Sequence, residues 1–235
     1  MNNKAILDSV KKLREISKER KFKQTVDVSI NLTRMDFKKN PEKKIDIFIR
    51  LPHPKGKKPK ICALVGKELA TKAKVFDRVI VNDDFSVIAD DKKALKKLAR
   101  EYDYFVAQAN LMAEVGIKFG KALAPLGKMP NPKAGCIVPP TAELAPLAEK
   151  LQNTIRLTTK DQLSIKAIAG AEEMSNEDIA ENILTIFNAV THALPDEKAN
   201  FKSMFIKFTM SQPVEVTDKG PVLHHEIKKA EVKKE

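Results

Sequence analysis

The sequence predicts an α+β discontinuous domain, an antiparallel sheet with two helices, split in the chain by an inserted α/β Rossmann-like domain. Three observations predict it. Each end of the chain carries strands with apolar residues at every second position, accompanied by one amphipathic helix. The middle alternates short apolar runs with helical segments, the pattern of βαβ units and a mostly parallel sheet. Breaks at Pro52-His53-Pro54-Lys55-Gly56 and near Gln152–Thr154 separate the two patterns. The expected bounds are residues 1–55 and 154–220 for the discontinuous domain, 56–153 for the insert, and 221–235 for a disordered tail. The two connections between the domains are expected to act as a hinge.

Each element has its own signal. Residues 4–19 place Ile6, Val10 and Leu13 at helical spacing, with Leu7 and Ile16 beside them. Residues 22–33 change to a period of two, with Phe22, Val26, Val28, Ile30 and Leu32 on one face, and residues 45–51 repeat it with Ile45, Ile47 and Ile49. These two strands are expected to pair antiparallel across the charged loop 36–44. In the insert, strands are expected at 61–66, 78–81 and 104–107, and helices at 67–74, 92–100, 111–123 and 141–151, the last with Thr141 as N-cap. Beyond it, 154–159 and 163–169 read as strands joined by a turn at Lys160-Asp161. Ser175 caps a helix with acids in its first turn, and 201–209 is a strong strand. From Asp218 the chain is polar and lysine-rich, as tails are.

Composition narrows the function. The chain has 235 residues, 43% of them hydrophobic, enough for one large or two modest domains. No apolar run approaches the ~20 residues of a membrane span, and the basic, polar N-terminus has no signal-peptide core. Cys62 and Cys136 lie far apart without zinc-ligand spacing, as in a chain kept in a reducing cytoplasm. The net charge is +12 and unevenly spread. Residues 1–55 carry 15 basic and 7 acidic side chains, 56–153 carry 17 and 11, and 154–220 carry 7 and 10. A basic chain without membrane features meets a polyanion by default, nucleic acid first. The alternative is a basic but merely soluble protein.

One stretch stands out. Gly120–Gly135, GKALAPLGKMPNPKAG, packs three prolines and Lys121, Lys128 and Lys133 into sixteen residues. Proline fixes φ and pushes its predecessor towards extended geometry, so Met129-Pro130-Asn131-Pro132 is expected to be a stiff, non-helical loop. Its mechanics allow two roles equally: holding a phosphate backbone, or fixing how two elements dock. It is not a P-loop. Gly120 and Gly127 are separated by six residues, and Met129 follows Lys128 where a P-loop needs Ser or Thr.

The nine residues GKMPNPKAG, after the GxKxGKxLAPLG run that ends at Gly127, closely resemble the signature loop of the universal ribosomal protein L-one family in its archaeal form. That family shares the discontinuous layout, so the resemblance covers nearly the whole chain except the tail. It implies a structural protein of the mobile stalk of the large subunit. The discontinuous domain would bind large-subunit rRNA. The insert would meet exit-site tRNA and help release it when deacylated. The protein would repress translation of its own mRNA through a similar RNA fold. No cofactor, metal or membrane is expected, and the free protein is expected to be a monomer, cytoplasmic and ribosome-associated.

The resemblance also points to residues. Lys21 and Phe22 match the family's Lys-Phe contact with rRNA, and Thr209 and Met210 match its Thr-Met contact. Ser211 stands where the family has glycine, and Met-Ser-Gln-Pro replaces its Met-Gly-Pro. The side chains themselves suit RNA. Phe22 offers a flat face to a base or ribose, Lys21 a charge to a phosphate, Thr209 a hydroxyl to a 2′-OH, and Met210 an apolar cover. From its residue type alone Phe22 reads first as a core aromatic, the commoner role of phenylalanine. Lys160 and Lys166 on adjoining strands are further candidates, against ordinary solvated lysine. In the insert, Lys121, Lys128 and Lys133 are candidates for a second nucleic-acid contact.

The alternative of a different class is an enzyme acting on nucleotides or RNA through the α/β insert. Little favours it. His53, His192, His224 and His225 form no ligand set, Asp83-Asp84 and Asp90-Asp91 read as surface caps, and no GxGxxG follows a strand.

Overall fold

In the computed structural model, which describes residues 2–223 apart from 36, 38, 39, 41, 42, 160, 161, 196 and 219, the chain opens with α1 (Asn3–Ile16), β1 (Thr25–Leu32) and β2 (Asp46–Arg50). There follow β3 (Ile61–Val65), α2 (Lys67–Ala70), β4 (Arg78–Val81), α3 (Phe85–Asp90), α4 (Lys92–Glu101), β5 (Tyr104–Gln108), α5 (Met112–Leu123), β6 (Ile137–Val138) and α6 (Ala145–Gln152). The chain then returns as β7 (Thr154–Thr158), β8 (Ser164–Ala171), α7 (Asn176–Ala193), β9 (Phe201–Phe208), β10 (Val214–Thr217) and β11 (Gly220–Leu223). Two compact units divide at Lys57/Lys58 and Thr154/Ile155.

The discontinuous unit is built on a five-stranded sheet in the order β11-β10-β9-β1-β8, with antiparallel neighbours throughout. Alternation in β1 sends Val26, Val28, Ile30 and Leu32 to one face, where they are fully buried. Met204, Ile206 and Phe208 of β9 and Val214 and Val216 of β10 share that core. Ile6, Val10 and Leu13 of α1, with Ile179, Ile183, Ile186 and Val190 of α7, complete it. Truncating a side chain such as Ile30 to alanine in a core of this kind costs about 2–5 kcal/mol. Ser175 caps α7 by accepting from the Asp178 N–H at 3.1 Å, with Glu177 and Asp178 in the first turn.

Three local expectations are corrected. β1 and β2 do not pair: β1 lies between β8 and β9, and β2 pairs with β7 in a separate two-stranded sheet. The connection spans thirteen residues between Leu32 and Asp46, too long for a two-residue turn to fix a hairpin register. It sends Met35, Phe37 and Ile45 into the core instead, which carries the chain away from β1. The expected tail starts too early, because Pro221–Leu223 belong to β11, which closes a hairpin with β10. Pro221 hid this strand, yet proline is tolerated on a sheet edge. The remainder, with His224 and His225, lies outside the described residues. Finally, α6 starts at Ala145, with Pro146 in its first turn, and Thr141 is not its cap. Proline fits a helix only there, so Pro146 sets the start and excludes one four residues earlier.

The inserted unit is a four-stranded parallel sheet in the order β4-β3-β5-β6. β3 is buried along its whole length, as a parallel strand covered on both faces must be. Phe85 of α3 meets Phe119 of α5 edge-on at 5.2 Å between centroids, inside a core that also holds Leu95 and Leu98 of α4. The expected helix at 67–74 is α2 followed by a 3₁₀ turn over Lys72–Val75.

A buried amide anchors the discontinuous unit just before the chain leaves it. Asn182, fully buried on α7, accepts from the His53 N–H at 3.1 Å and donates to the carbonyls of His53 at 3.3 Å and Ala169 at 2.7 Å. Close by, Gly56 has φ +88, and a Cβ there would stand 2.3 Å from that of Ala171. Asn182→Ala takes its partner from one N–H and two carbonyls, a group left unsatisfied in the interior costing roughly 1–3 kcal/mol. Urea unfolding is expected to show a loss in that range or above. A loss under about 0.5 kcal/mol, the size of an ordinary surface substitution, would rule the anchor out.

Candidate nucleic-acid interface

The antiparallel pairing of β1 and β9 sets Val26 opposite Phe208, so the start of β1 meets the end of β9. Thr209, just past β9, donates its N–H to the Thr25 carbonyl at 3.1 Å, and its Oγ1 accepts from the Thr25 N–H at 3.2 Å. The two threonine hydroxyls lie 3.0 Å apart. The Thr25 hydroxyl donates to Asp27 Oδ1 at 3.3 Å. An ionised carboxylate only accepts, and this fixes the direction of the chain. Thr209 donates to Thr25, and Thr25 donates to Asp27. The exposed Thr209 oxygen keeps a lone pair for an incoming donor.

The next two residues are held from both sides. Gln24 is buried, and its Oε1 accepts from the Met210 N–H at 3.2 Å. Gln24 is itself tied to Glu172, which accepts from its N–H at 3.2 Å and donates a backbone N–H back to its carbonyl at 2.9 Å. Ser211 Oγ accepts from the Phe208 N–H at 2.8 Å, and the Ser211 N–H donates to the Phe208 carbonyl at 3.1 Å. The φ of Ser211 is not positive, so serine adopts this turn without the strain that glycine would relieve. Met210 is 61% exposed on this pinned backbone.

Lys21 and Phe22 are exposed and lie in a bend just before Gln24. Phe22 is 50% exposed, which excludes the core-aromatic reading and corrects its expected place on the apolar face of β1. Lys21, Phe22, Thr209, Met210 and Ser211 therefore belong to one end of the sheet. Lys166 does not. It is exposed on β8 opposite Ser29, roughly 13 Å along β1 from Thr25 at strand rise. Lys160 lies outside the described residues.

Four residues that sequence reasoning passed over complete the site: Gln24, Thr25, Asp27 and Glu172. Thr25 and Asp27 were legible only as polar positions of an alternating strand. Register alone reveals that Thr25 bonds a residue 184 positions away.

Charge around the site is mixed. Burial raises the pKa of Asp27 above its usual 3.8, and the Thr25 hydroxyl and Lys207, directly opposite on β9, oppose that shift. Lys23 and Glu173 form an exposed pair at 2.7 Å, worth little by itself.

In the inserted unit, the proline loop bonds mainly to itself. Asn131 accepts from the N–H groups of Lys133 through its side chain and of Ala134 and Cys136 through its carbonyl. Pro130 is buried, and Met129 packs on the core. Lys128 departs from expectation: its ammonium donates to the Tyr102 carbonyl at 2.7 Å, so its charge docks the loop. Lys121 and Lys133 are exposed. At the end of β5, Gln108 is buried and accepts from the Gly66 N–H at 2.8 Å. In open parallel sheets this is where a ligand would otherwise find that donor. Burial pushes the Cys62 thiol up to about 12 and the Cys136 thiol up to about 11, so both stay protonated and unreactive at neutral pH.

The antiparallel unit, the parallel unit inserted in it and the Pro-Asn-Pro-Lys loop before β6 define the class, a two-unit α+β and α/β protein with a signature loop in the insert. Comparison with known proteins gives the family. A sequence model of the ribosomal protein L1p/L10e family matches residues 12–212. The large ribosomal subunit protein uL1 of Nanoarchaeum equitans is 42% identical over 217 residues, covering 89% of this chain and 98% of that protein. The uL1 proteins of Methanobrevibacter smithii, at 39% with 90% and 98% covered, and Methanothermococcus thermolithotrophicus, at 36% with 92% and 99%, are similar. The chain belongs to the ribosomal protein L1p/L10e family.

The raised pKa of Asp27 carries a sign. The folded state holds that proton more tightly than the unfolded chain. Stability from this group therefore falls as pH rises from 3.8 through the raised value, and stays lower at neutral pH. Asp27→Asn keeps an acceptor for Thr25 without the charge. Its thermal midpoint is expected above wild type at pH 7, with the gap closing on acidification below pH 3.8. A variant that melts lower at pH 7 would contradict this.

Proposed function

We propose that this protein is a structural component of the large ribosomal subunit and binds large-subunit rRNA through the sheet end formed by Lys21, Phe22, Thr209, Met210 and Ser211. The supporting observation is the hydroxyl relay from Thr209 through Thr25 to Asp27. It leaves Thr209 as a fixed acceptor, suited to a ribose 2′-OH, the group that separates RNA from DNA. Phe22 and Met210 stand ready for a base or ribose, and Lys21 and the basic N-terminal segment for phosphates. The relatives' name, large ribosomal subunit protein, supports the same assignment.

The finer roles belong to this reading. The protein forms the mobile stalk near the exit site. Its inserted unit meets exit-site tRNA and helps release it. The same sheet end binds a similar fold in its own mRNA and represses translation. No bond is made or broken, so recognition rather than catalysis is the activity. The protonated thiols and the Gly66 N–H engaged by Gln108 fit that assignment.

The test is a salt titration of binding to the stalk-base rRNA fragment, for wild type and for Phe22→Ala with Thr209→Ala. The double variant is expected to lose at least about fivefold in affinity, since a stacked base is worth about 1–3 kcal/mol. Its log–log salt slope should match wild type, at about −0.7 to −0.9 per phosphate neutralised. Equal binding by both proteins, no better than to scrambled RNA, would overturn the reading.

A further inference from the structure

In the inserted unit, α4 gathers four cations on one face. Lys93, Lys96, Lys97 and Arg100 are all exposed, and with Glu101 they line one wide, shallow groove. Their spacing, i, i+3, i+4 and i+7, puts them on one side of the helix, while Leu95, Leu98 and Ala99 are buried on the other. Three cations elsewhere in the unit are engaged. Lys67 pairs with Asp83 at 2.7 Å, Lys118 with Glu114 at 3.6 Å, and Lys128 with the Tyr102 carbonyl. Glu101, the one carboxylate beside the groove, is turned to Lys60 at 3.3 Å. Asp91 spends its side chain on the N-cap, accepting from Lys93 and Ala94. Among the described residues, none of the four groove cations has an ion-pair partner.

Stability does not account for this arrangement. Lys93 with Lys97, Lys96 with Arg100, and Lys93 with Lys96 are like-charge neighbours on a helix, and each pair is unfavourable. Lys92 and Lys93 sit in the first turn, where the helix dipole disfavours cations, and only the Asp91 cap offsets them. The helix carries the cluster at a cost to itself.

We propose that this face of α4 is a binding surface for the phosphate backbone of duplex RNA, separate from the sheet end of the other unit. Lys93 and Arg100 lie about 10 Å apart along the helix axis at ~1.5 Å per residue. Over that length one strand of a duplex presents about three phosphates, taking ~3.4 Å per strand charge. The face offers no aromatic ring and no amide side chain, so it reads charge and not sequence. No aromatic or amide side chain lines the face to hold an acidic protein in register, which favours a repeating phosphate backbone as the occupant. The inference deepens the proposed tRNA contact of the insert by naming its surface.

The experiment compares full-length wild type with a variant carrying Lys93→Gln, Lys96→Gln, Lys97→Gln and Arg100→Gln. A control removes the same charge elsewhere in the unit through Lys72→Gln, Lys74→Gln, Arg78→Gln and Lys150→Gln. Each protein is titrated with salt against a plain RNA duplex and against the stalk-base fragment. On the plain duplex the α4 variant is expected to lose two to three phosphate contacts, a change in log–log slope of about 2, with the control near wild type. Its preference for the stalk-base fragment over scrambled RNA, which reports the other unit, should persist. Its thermal midpoint should equal or exceed wild type. Equal loss in the α4 and control variants would overturn the proposal, since net charge alone would then explain binding. Poly-glutamate competing as well as the duplex at matched charge would also overturn it, in favour of an acidic chain. Loss of the stalk-base preference in wild type would instead overturn the rRNA reading and leave the α4 result to stand by itself.

Discussion

β1 takes both of its sheet partners, β8 and β9, from the far side of the insert. The N-terminal segment supplies one strand of the five-stranded sheet, and the C-terminal segment supplies the other four. Neither segment can bury its apolar face alone. Val26, Val28 and Ile30 find their neighbours in Ile165, Met204 and Ile206, more than a hundred residues away. Such long-range pairing meets its loop-closure cost before contacts reward it. An insert that folds locally shortens the effective loop. β3, β4 and β5 pair within a span of 48 residues and owe nothing to the outer sheet. The Asn182 amide marks where the outer unit stops, since His53 is the last residue it grips before the chain departs.

The same pairing builds the candidate interface. Thr25 and Thr209 have no sequence relation, yet ladder geometry brings their hydroxyls to 3.0 Å. Charge at this end is not simply positive. Glu172 ties down Gln24, Glu173 pairs with Lys23, and Asp27 terminates the relay. Anionic groups next to a surface proposed to meet phosphate look contradictory until their tasks are separated. The carboxylates face backbone N–H groups, a hydroxyl and a lysine of their own protein, and they fix geometry. Attraction over distance is left to the lysines and arginines of residues 1–55, which outnumber its acids by 15 to 7.

How much of this was legible depended on whether a residue's role was local. The strand at 78–81 and the Ser175 cap were readable because their causes lie within a few residues; the non-helical loop was readable only as far as Asn131, since Pro132 opens a 3₁₀ turn over Pro132–Ala134. The β1–β2 hairpin was misread because alternation reports a face and says nothing of the partner. The start of α6 was readable in principle: Pro146 forbids a helix running through it, and Thr141 was preferred as a cap by residue type alone. The place of Phe22 was half legible. Its residue type and spacing suited the core, and only the bend before Thr25 turns it out to water. Gln24 and Thr25 were invisible, because a glutamine and a threonine at a strand start have many uses and only register selects one.

Ser211 shows how a departure from the family pattern can be read physically. Glycine at that position would leave the turn after β9 free to move, and binding would have to order it. Serine supplies a hydroxyl that accepts from the Phe208 N–H and a backbone angle that needs no glycine. With Gln24 holding the Met210 N–H from the other side, the Thr209-Met210 pair is set before any ligand arrives. Ordering a loop in advance lowers the entropy cost of association. The cost of serine is its Cβ and hydroxyl, which restrict how closely a backbone can approach. That oxygen is already turned inward, bonded to Phe208 and Gln212. The exchange therefore gives a stiffer sheet end, in which Ser211 holds the turn and Thr209 and Met210 are presented outward.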